Sequence, residues 1–153
     1  MGSPHGIDSA SSGLVVHMSA PLRERAISIS RAMLPNEACG LLGGHRNGDK
    51  VEVVSVHSVA NSLGSPRAFA LDGLGMINAE DEVEAAGQEV VGIFHSHPAT
   101  AAVPSLRDLD DAHRYDPFAV MIHLIVSMQG FAPQLRVYRY ADLAPVELSL
   151  ETT

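Results

Sequence analysis

Apolar positions along this chain recur with two periods, and the switches between them mark out its elements. From Ser19 the stretch PLRERAISISRAML sets Leu22, Ala26, Ile29 and Met33 three to four residues apart, with Arg23, Glu24 and Arg31 off that stripe. This is the helical repeat. Ser19 is a good N-cap, Pro21 stands in the first turn where a helix tolerates it, and Pro35 ends the run. The runs ACGLLGG (38–44) and KVEVVSVHSVA (50–60) read instead as strands. Between them His45-Arg46-Asn47-Gly48-Asp49 carries Asn-Gly turn chemistry, so a β-hairpin is expected.

Further along, RAFAL (67–71) reads as a short third strand, and residues 73–88, with Leu74, Ile77 and Val83 among Glu and Ala, as a second helix that is acidic on its outer side. EVVGIFHSH (89–97) is the near-continuous apolar run of a central strand, and PSLRDLDDAHRY (104–115) opens on Pro and Ser as a helix start does. AVMIHLIVS (119–127) is another buried strand, and LRVYRYA (135–141) and PVELSL (145–150) complete the sheet. LVVHMS (14–19) is open between vector sequence and a short first strand. The order α, β, β, β, α, β, α, β, β, β predicts an α/β protein with a mixed β-sheet packed between helices, an α/β/α sandwich.

Composition narrows this picture without changing it. At 153 residues, 46% hydrophobic and 18% charged, the chain has material for one aliphatic core, and a single domain over residues 14–153 is expected. MGSPHGIDSASSG (1–13) has no periodicity and reads as an expression leader. The net charge of −8 disfavours nucleic acid and anionic lipid. No apolar run approaches the roughly 20 residues that cross a bilayer, and no signal-peptide pattern stands at the start, so no membrane partner and a cytoplasmic setting are expected. The single Cys39 excludes an internal disulfide framework.

The candidate chemistry sits at the end of the central strand, in FHSHPATAAVPSLRD (94–108). Alternate residues of a strand share a face, so His95 and His97 can aim at one point while Ser96 turns away. A helix starting near Pro104 brings Asp108 within reach of that point. Two imidazole nitrogens and one carboxylate oxygen suit Zn²⁺, and a fourth position left to water marks a catalytic rather than a structural site. The competing reading has ordinary strand-end histidines and a helix-surface aspartate.

His95-Ser96-His97-Pro98, followed at fixed spacing by Ser105 and Asp108, resembles the JAMM motif of the MPN+ (JAB/MPN/Mov34) metalloprotease family. The segment PNEACGLLGG (35–44) is similar to a Glu-bearing segment of the small prokaryotic members. The resemblance spans about residues 20–140. It implies a cytidine-deaminase-like MPN fold, zinc held by His95, His97 and Asp108, zinc-bound water as nucleophile, Glu37 as general acid/base and Ser105 assisting the developing oxyanion. For Ser105 the alternative is a helix N-cap, since Ser105 and Asp108 have capping-box spacing, and a ligand carboxylate does not readily serve both roles. Cys39, two residues past Glu37, reads as a small buried hydrophobe rather than a further ligand or redox switch. Asn61 resembles an Asn that members place near the active site, and reads equally as a turn residue. His45, His57, His113 and His123 receive no role.

The resemblance further implies hydrolysis of the peptide or isopeptide bond after the C-terminal glycine of a ubiquitin-like or sulfur-carrier β-grasp protein. The chain has no room for the insertions with which larger members grip linked ubiquitin, so a small prokaryotic carrier is the expected partner, its extended tail adding to a strand edge. Two rivals remain: a catalytically silent MPN scaffold, and a RadC-like DNA-repair-associated protein, against which the Glu37 segment and the acidic balance argue.

Overall fold

The computed structural model describes residues 13–142 and 144–153, so all but the last residue of the expected leader lies outside the described part. Among the described residues seven strands run in chain order with three helices among them: β1 (Val15–Met18), α1 (Ala20–Met33), β2 (Cys39–Asn47), β3 (Lys50–Val59), α2 (Gly73–Ala85), β4 (Glu89–His97), α3 (Leu106–Tyr115), β5 (Ile122–Ser127), β6 (Gln134–Ala141) and β7 (Ala144–Thr152). The mixed α/β character stands, and the hairpin of β2 and β3 forms with Gly48 at φ 62° in its turn, where glycine meets no steric cost.

Two expectations are corrected. The segment 67–71 forms no strand; it makes only an isolated bridge between Asn61 and Leu71. The sheet is also not a flat middle layer, because it closes on itself in the order β1-β3-β2-β4-β5-β6-β7. The closing element is β1, the stretch left open above. It pairs in parallel with β3 on one side and β7 on the other and so joins the two ends of the sheet.

Alternation along the strands then fills two main cores among the described residues, beside a small cluster of Ala102, Ile125 and Tyr138. One gathers Val16, Met18, Leu42, Phe94, Leu124, Val137 and their neighbours around Ala26 and Ile27 of α1. The other, on the opposite face of β2 and β4, packs Leu41 and Ile93 with Ala79 of α2 and with Phe69 and Leu71. In α1 the buried residues are Ala26, Ile27 and Ser30, with Leu22, Ile29 and Met33 only partly covered. The predicted stripe is therefore rotated, and Ser30 is tolerated because its hydroxyl donates to the Ala26 carbonyl at 2.8 Å. In α2 the apolar Leu74 and Ile77 are exposed, and Ala79 and Val83 are the buried ones. Among the described residues no helix is long and apolar enough to cross a membrane.

Candidate metal centre

β4 delivers two histidines because of where its neighbours hold it. It lies antiparallel to β2 and parallel to β5, with His95 opposite Cys39 and Ile125 and His97 opposite Ser127. Ser96 faces the other way. Its hydroxyl accepts the Ala38 N–H at 2.8 Å, and its own N–H donates to the Ala38 carbonyl at 3.0 Å. The strand end is thus tied to the segment that carries Glu37.

α3 delivers the carboxylate. Ser105 is its N-cap and accepts the Asp108 N–H at 3.0 Å, while Asp108 Oδ2 accepts the Ser105 N–H at 2.9 Å, a reciprocal capping box. The same Oδ2 lies 3.0 Å from His97 Nε2 and 3.2 Å from His95 Nε2. Cap and site therefore share one oxygen, against the expectation that a single carboxylate would not serve both. An ionised carboxylate oxygen has lone pairs enough for both tasks. Ser105 keeps a donor as well, because capping uses only its acceptor capacity.

The three side chains are buried, and each offers a donor atom within 4.8 Å of the others. His97 shows why a cation fits among them. Its Nδ1 lies 2.8 Å from the Ala101 carbonyl and donates there, so in the neutral ring Nε2 carries a lone pair. That lone pair faces Asp108 Oδ2 at 3.0 Å and His95 Nε2 at 3.2 Å. A lone pair and a carboxylate oxygen this close need a proton or a cation between them. The spacing also matches an ion, since tetrahedral zinc with bonds of about 2.0 Å separates its ligands by about 3.3 Å. Burial acts against the His97 cation, but the Asp108 and Ala101 hydrogen bonds outweigh it and raise the pKa. Burial likewise acts to raise Asp108, and the bonds from His95, His97 and the Ser105 amide overcome it to hold the carboxyl far below the usual range.

The loop after β4 is held residue by residue. The carbonyls of Ala99, Thr100, Ala101 and Ala102 accept in turn from Gln129 Nε2, Ser127 Oγ, His97 Nδ1 and Tyr138 OH, at 3.3, 2.6, 2.8 and 2.6 Å.

Glu37 lies between α1 and β2, only 4% exposed, and its Oε1 has no hydrogen-bond partner. Burial first, and then the Asp108 charge, push its pKa up to about 8, with His97 acting the other way. An unsatisfied buried carboxylate is costly unless its site uses it. Cys39 is also buried. Its thiol reaches only the Val59 carbonyl at 3.4 Å, and burial, with the Glu37 charge, pushes it up to about 12, so it remains a protonated thiol.

Sequence reasoning missed the surroundings of the triad. Phe69 stacks on the His95 ring with centroids 4.7 Å apart, and Tyr115 stacks behind Phe69. His123 is buried against Asp116, with Nε2 to Oδ2 at 3.0 Å, and its ring meets Tyr140 edge-on. None of these follows a local pattern. Asn61 is a turn residue and also part of the site: its Oδ1 accepts the Leu63 N–H and its carbonyl the Gly64 N–H, both at 3.1 Å, while its amide is bonded to the Glu37 carbonyl at 3.1 Å. His113 is exposed on α3 and lines a cavity of about 510 Å³ at that helix's far end, which holds none of the three metal-capable residues.

Fold and site together define a class: a mixed α/β domain with a strand-borne pair of histidines and a helix-capping aspartate converging beside an unpaired glutamate. The chain belongs to the family of prokaryotic homologs of the JAB domain, which it matches over residues 19–137. It is 40% identical over 94 residues to the desampylase of Pyrococcus furiosus, an alignment that spans 61% of this chain and 61% of that protein. It is 32% identical over 133 residues to the CysO-cysteine peptidase of Mycobacterium tuberculosis, covering 87% of this chain and 88% of that one. The solution structure of protein DSY2949 from Desulfitobacterium hafniense superposes with a TM-score of 0.80 at 30% identity, over 92% of this chain and 93% of that one.

Proposed function

We propose that this protein is a zinc metallopeptidase, with residues 14–153 acting as one domain, that hydrolyses the peptide or isopeptide bond after the C-terminal glycine of a small β-grasp ubiquitin-like or sulfur-carrier protein. A cytoplasmic setting accompanies this reading. The observation that carries it is the meeting of three ligand-capable atoms, His95 Nε2, His97 Nε2 and Asp108 Oδ2, at 3.0–3.2 Å beside a buried carboxylate oxygen that has no partner. The names of the desampylase and CysO-cysteine peptidase relatives support this choice of substrate class.

In this reading His95, His97 and Asp108 hold the zinc ion. Bound zinc supplies a Lewis acid that polarises the scissile carbonyl and makes a water acidic near neutral pH. Glu37 takes a proton from water through its free Oε1 and returns it to the leaving amine. Ser105 keeps its hydroxyl proton available and turns it toward the oxygen on which negative charge develops. Ala101 keeps His97 in the tautomer that leaves Nε2 unprotonated, and the hydrogen-bonded loop 99–102 prevents that ring from turning away.

The test is zinc stoichiometry, followed by incubation with a β-grasp carrier conjugated through its terminal glycine, with products read by mass. One zinc per chain and release of the free carrier are expected. Glu37→Gln should keep the zinc and lose about 100- to 10,000-fold in kcat. Bound zinc without any cleavage beyond a chelated control would instead favour a silent scaffold.

A further inference from the structure

Asn61 stands just past the end of β3, and its side chain uses both of its functions. Nδ2 donates to the Glu37 carbonyl at 3.1 Å and to the Ala68 carbonyl at 3.0 Å; Oδ1 accepts from the N–H groups of Leu63 and Ala70, both at 3.1 Å. Ala68 and Ala70 flank Phe69, so one amide grips the chain on either side of that ring. The Phe69 ring in turn lies on His95 at 4.7 Å and 21°. Tyr115 backs it at 6.1 Å and 15°, with its hydroxyl accepting the Leu71 N–H at 3.1 Å. From the other side, the Glu37 N–H donates to the Ser65 carbonyl at 2.8 Å. Segment 61–72 therefore holds Glu37 at both its N–H and its C=O, and through Phe69 it also covers one face of a metal-capable imidazole.

We propose that Asn61 is a positioning residue that joins the Glu37 main chain and the Phe69 ring on His95 into one unit, so that base and ligand keep a single mutual geometry. The proposal rests on the zinc-peptidase reading for its consequence in turnover, but the unit itself is a property of the metal-free chain. His97 and Asp108 are oriented by hydrogen bonds to Ala101 and Ser105. For His95 the Phe69 ring does this work by stacking, the arrangement in which one aromatic face restrains another. Few side chains could replace Asn61. Aspartate keeps the acceptor oxygen but loses both donors, and it would turn an oxygen toward the carbonyls of Glu37 and Ala68.

The test compares Asn61→Asp, Phe69→Leu and Ser62→Ala. The last removes an exposed hydrogen bond to the Ala70 carbonyl within the same segment and touches neither Glu37 nor Phe69. In the metal-free protein, the carbon-bound His95 ring protons are expected upfield in the NMR spectrum, under the Phe69 ring, and should return toward ordinary positions in Asn61→Asp and Phe69→Leu only. Zinc affinity, read by competition with a chromophoric chelator, should fall about 10-fold or more in both, the scale of other outer-sphere losses. In Asn61→Asp, kcat should fall at least about 10-fold with KM within about 3-fold, because geometry rather than substrate binding is lost. A folded Asn61→Asp with unshifted His95 resonances and wild-type zinc affinity overturns the proposal. If Asn61→Asp does not fold, Phe69→Leu decides alone: unchanged affinity overturns the proposal, and a loss not seen in Ser62→Ala supports it. Failure of the wild-type chain to bind zinc would instead remove the peptidase reading, while the His95 resonances still judge the coupling.

Discussion

Ser105 is one hydroxyl with two duties. Its oxygen accepts the Asp108 N–H at 3.0 Å and so starts α3, and its proton is free for the proposed oxyanion. Ser105→Ala should therefore show two separable losses: about 1 kcal/mol of stability from the missing cap, read by denaturant titration, and about 10- to 100-fold in turnover, read at saturating substrate. Ser105→Thr keeps the hydroxyl and should recover most of both. Turnover unchanged in the alanine variant would leave Ser105 as a cap only. Asp108 shows the same economy, since one oxygen closes the capping box and faces both histidines.

At the scale of elements, α3 is positioned at both ends by aspartates. Beyond its C-terminus, Asp116 accepts the N–H groups of Val120 and Met121 at 2.8 and 3.1 Å and the Nε2–H of His123 at 3.0 Å. This knot holds Ala119 at φ 53° and delays the start of β5 to Ile122, three residues later than the apolar pattern predicts. Burial acts to raise the Asp116 carboxyl, but these three bonds outweigh it and lower the pKa. His123 is lowered from its ordinary value of 6.5, burial outweighing the Asp116 charge. Both shifts have the same sign for stability. As pH falls through about 6.5 the unfolded chain binds a proton at His123 before the folded one does, so stability declines toward the folded pKa, with a limiting slope of about 1.4 kcal/mol per pH unit. The Asp116 contribution is complete above 3.8 and is lost below it, as pH falls through the depressed value. Unfolding free energies measured between neutral and mildly acidic pH should decline more gently in His123→Gln than in the wild type. An equal slope would mean that His123 does not titrate with folding. Asp116→Ala, which strands a buried imidazole N–H and two backbone donors, should cost about 2–4 kcal/mol at neutral pH.

For the whole molecule, closure of the sheet depends on the four residues of β1, which pair with both β3 and β7 and place Val16 and Met18, each 1% exposed, in the main core. Met18→Ala should cost about 2–5 kcal/mol, read as a shift of the denaturation midpoint. If the proposed zinc binds the folded chain alone, stripping it with a chelator should lower stability by about 4 kcal/mol relative to protein held at a thousandfold excess over Kd. A midpoint insensitive to chelator would show that the buried triad holds no metal under those conditions.

How much of this was legible along the chain follows from the range of the interactions. The amino-acid sequence by itself determined β4 to the residue, the shared face of His95 and His97, the helix start at Pro104-Ser105 and the presence of three helices and a mixed sheet, because each rests on a local period or on a contact within one helical turn. Glu37 was legible only through its family segment, since nothing local marks a glutamate as buried and unpartnered. The rotation of the α1 stripe, the loss of the expected strand at 67–71, the closure by β1, and the hold of Asn61 on Glu37 and Phe69 were decided by the tertiary structure alone. Those outcomes depend on which distant groups compete for the same hydrogen bonds and apolar surface. Residues 37, 61, 69 and 95 acquire a common geometry only once the strands between them have paired.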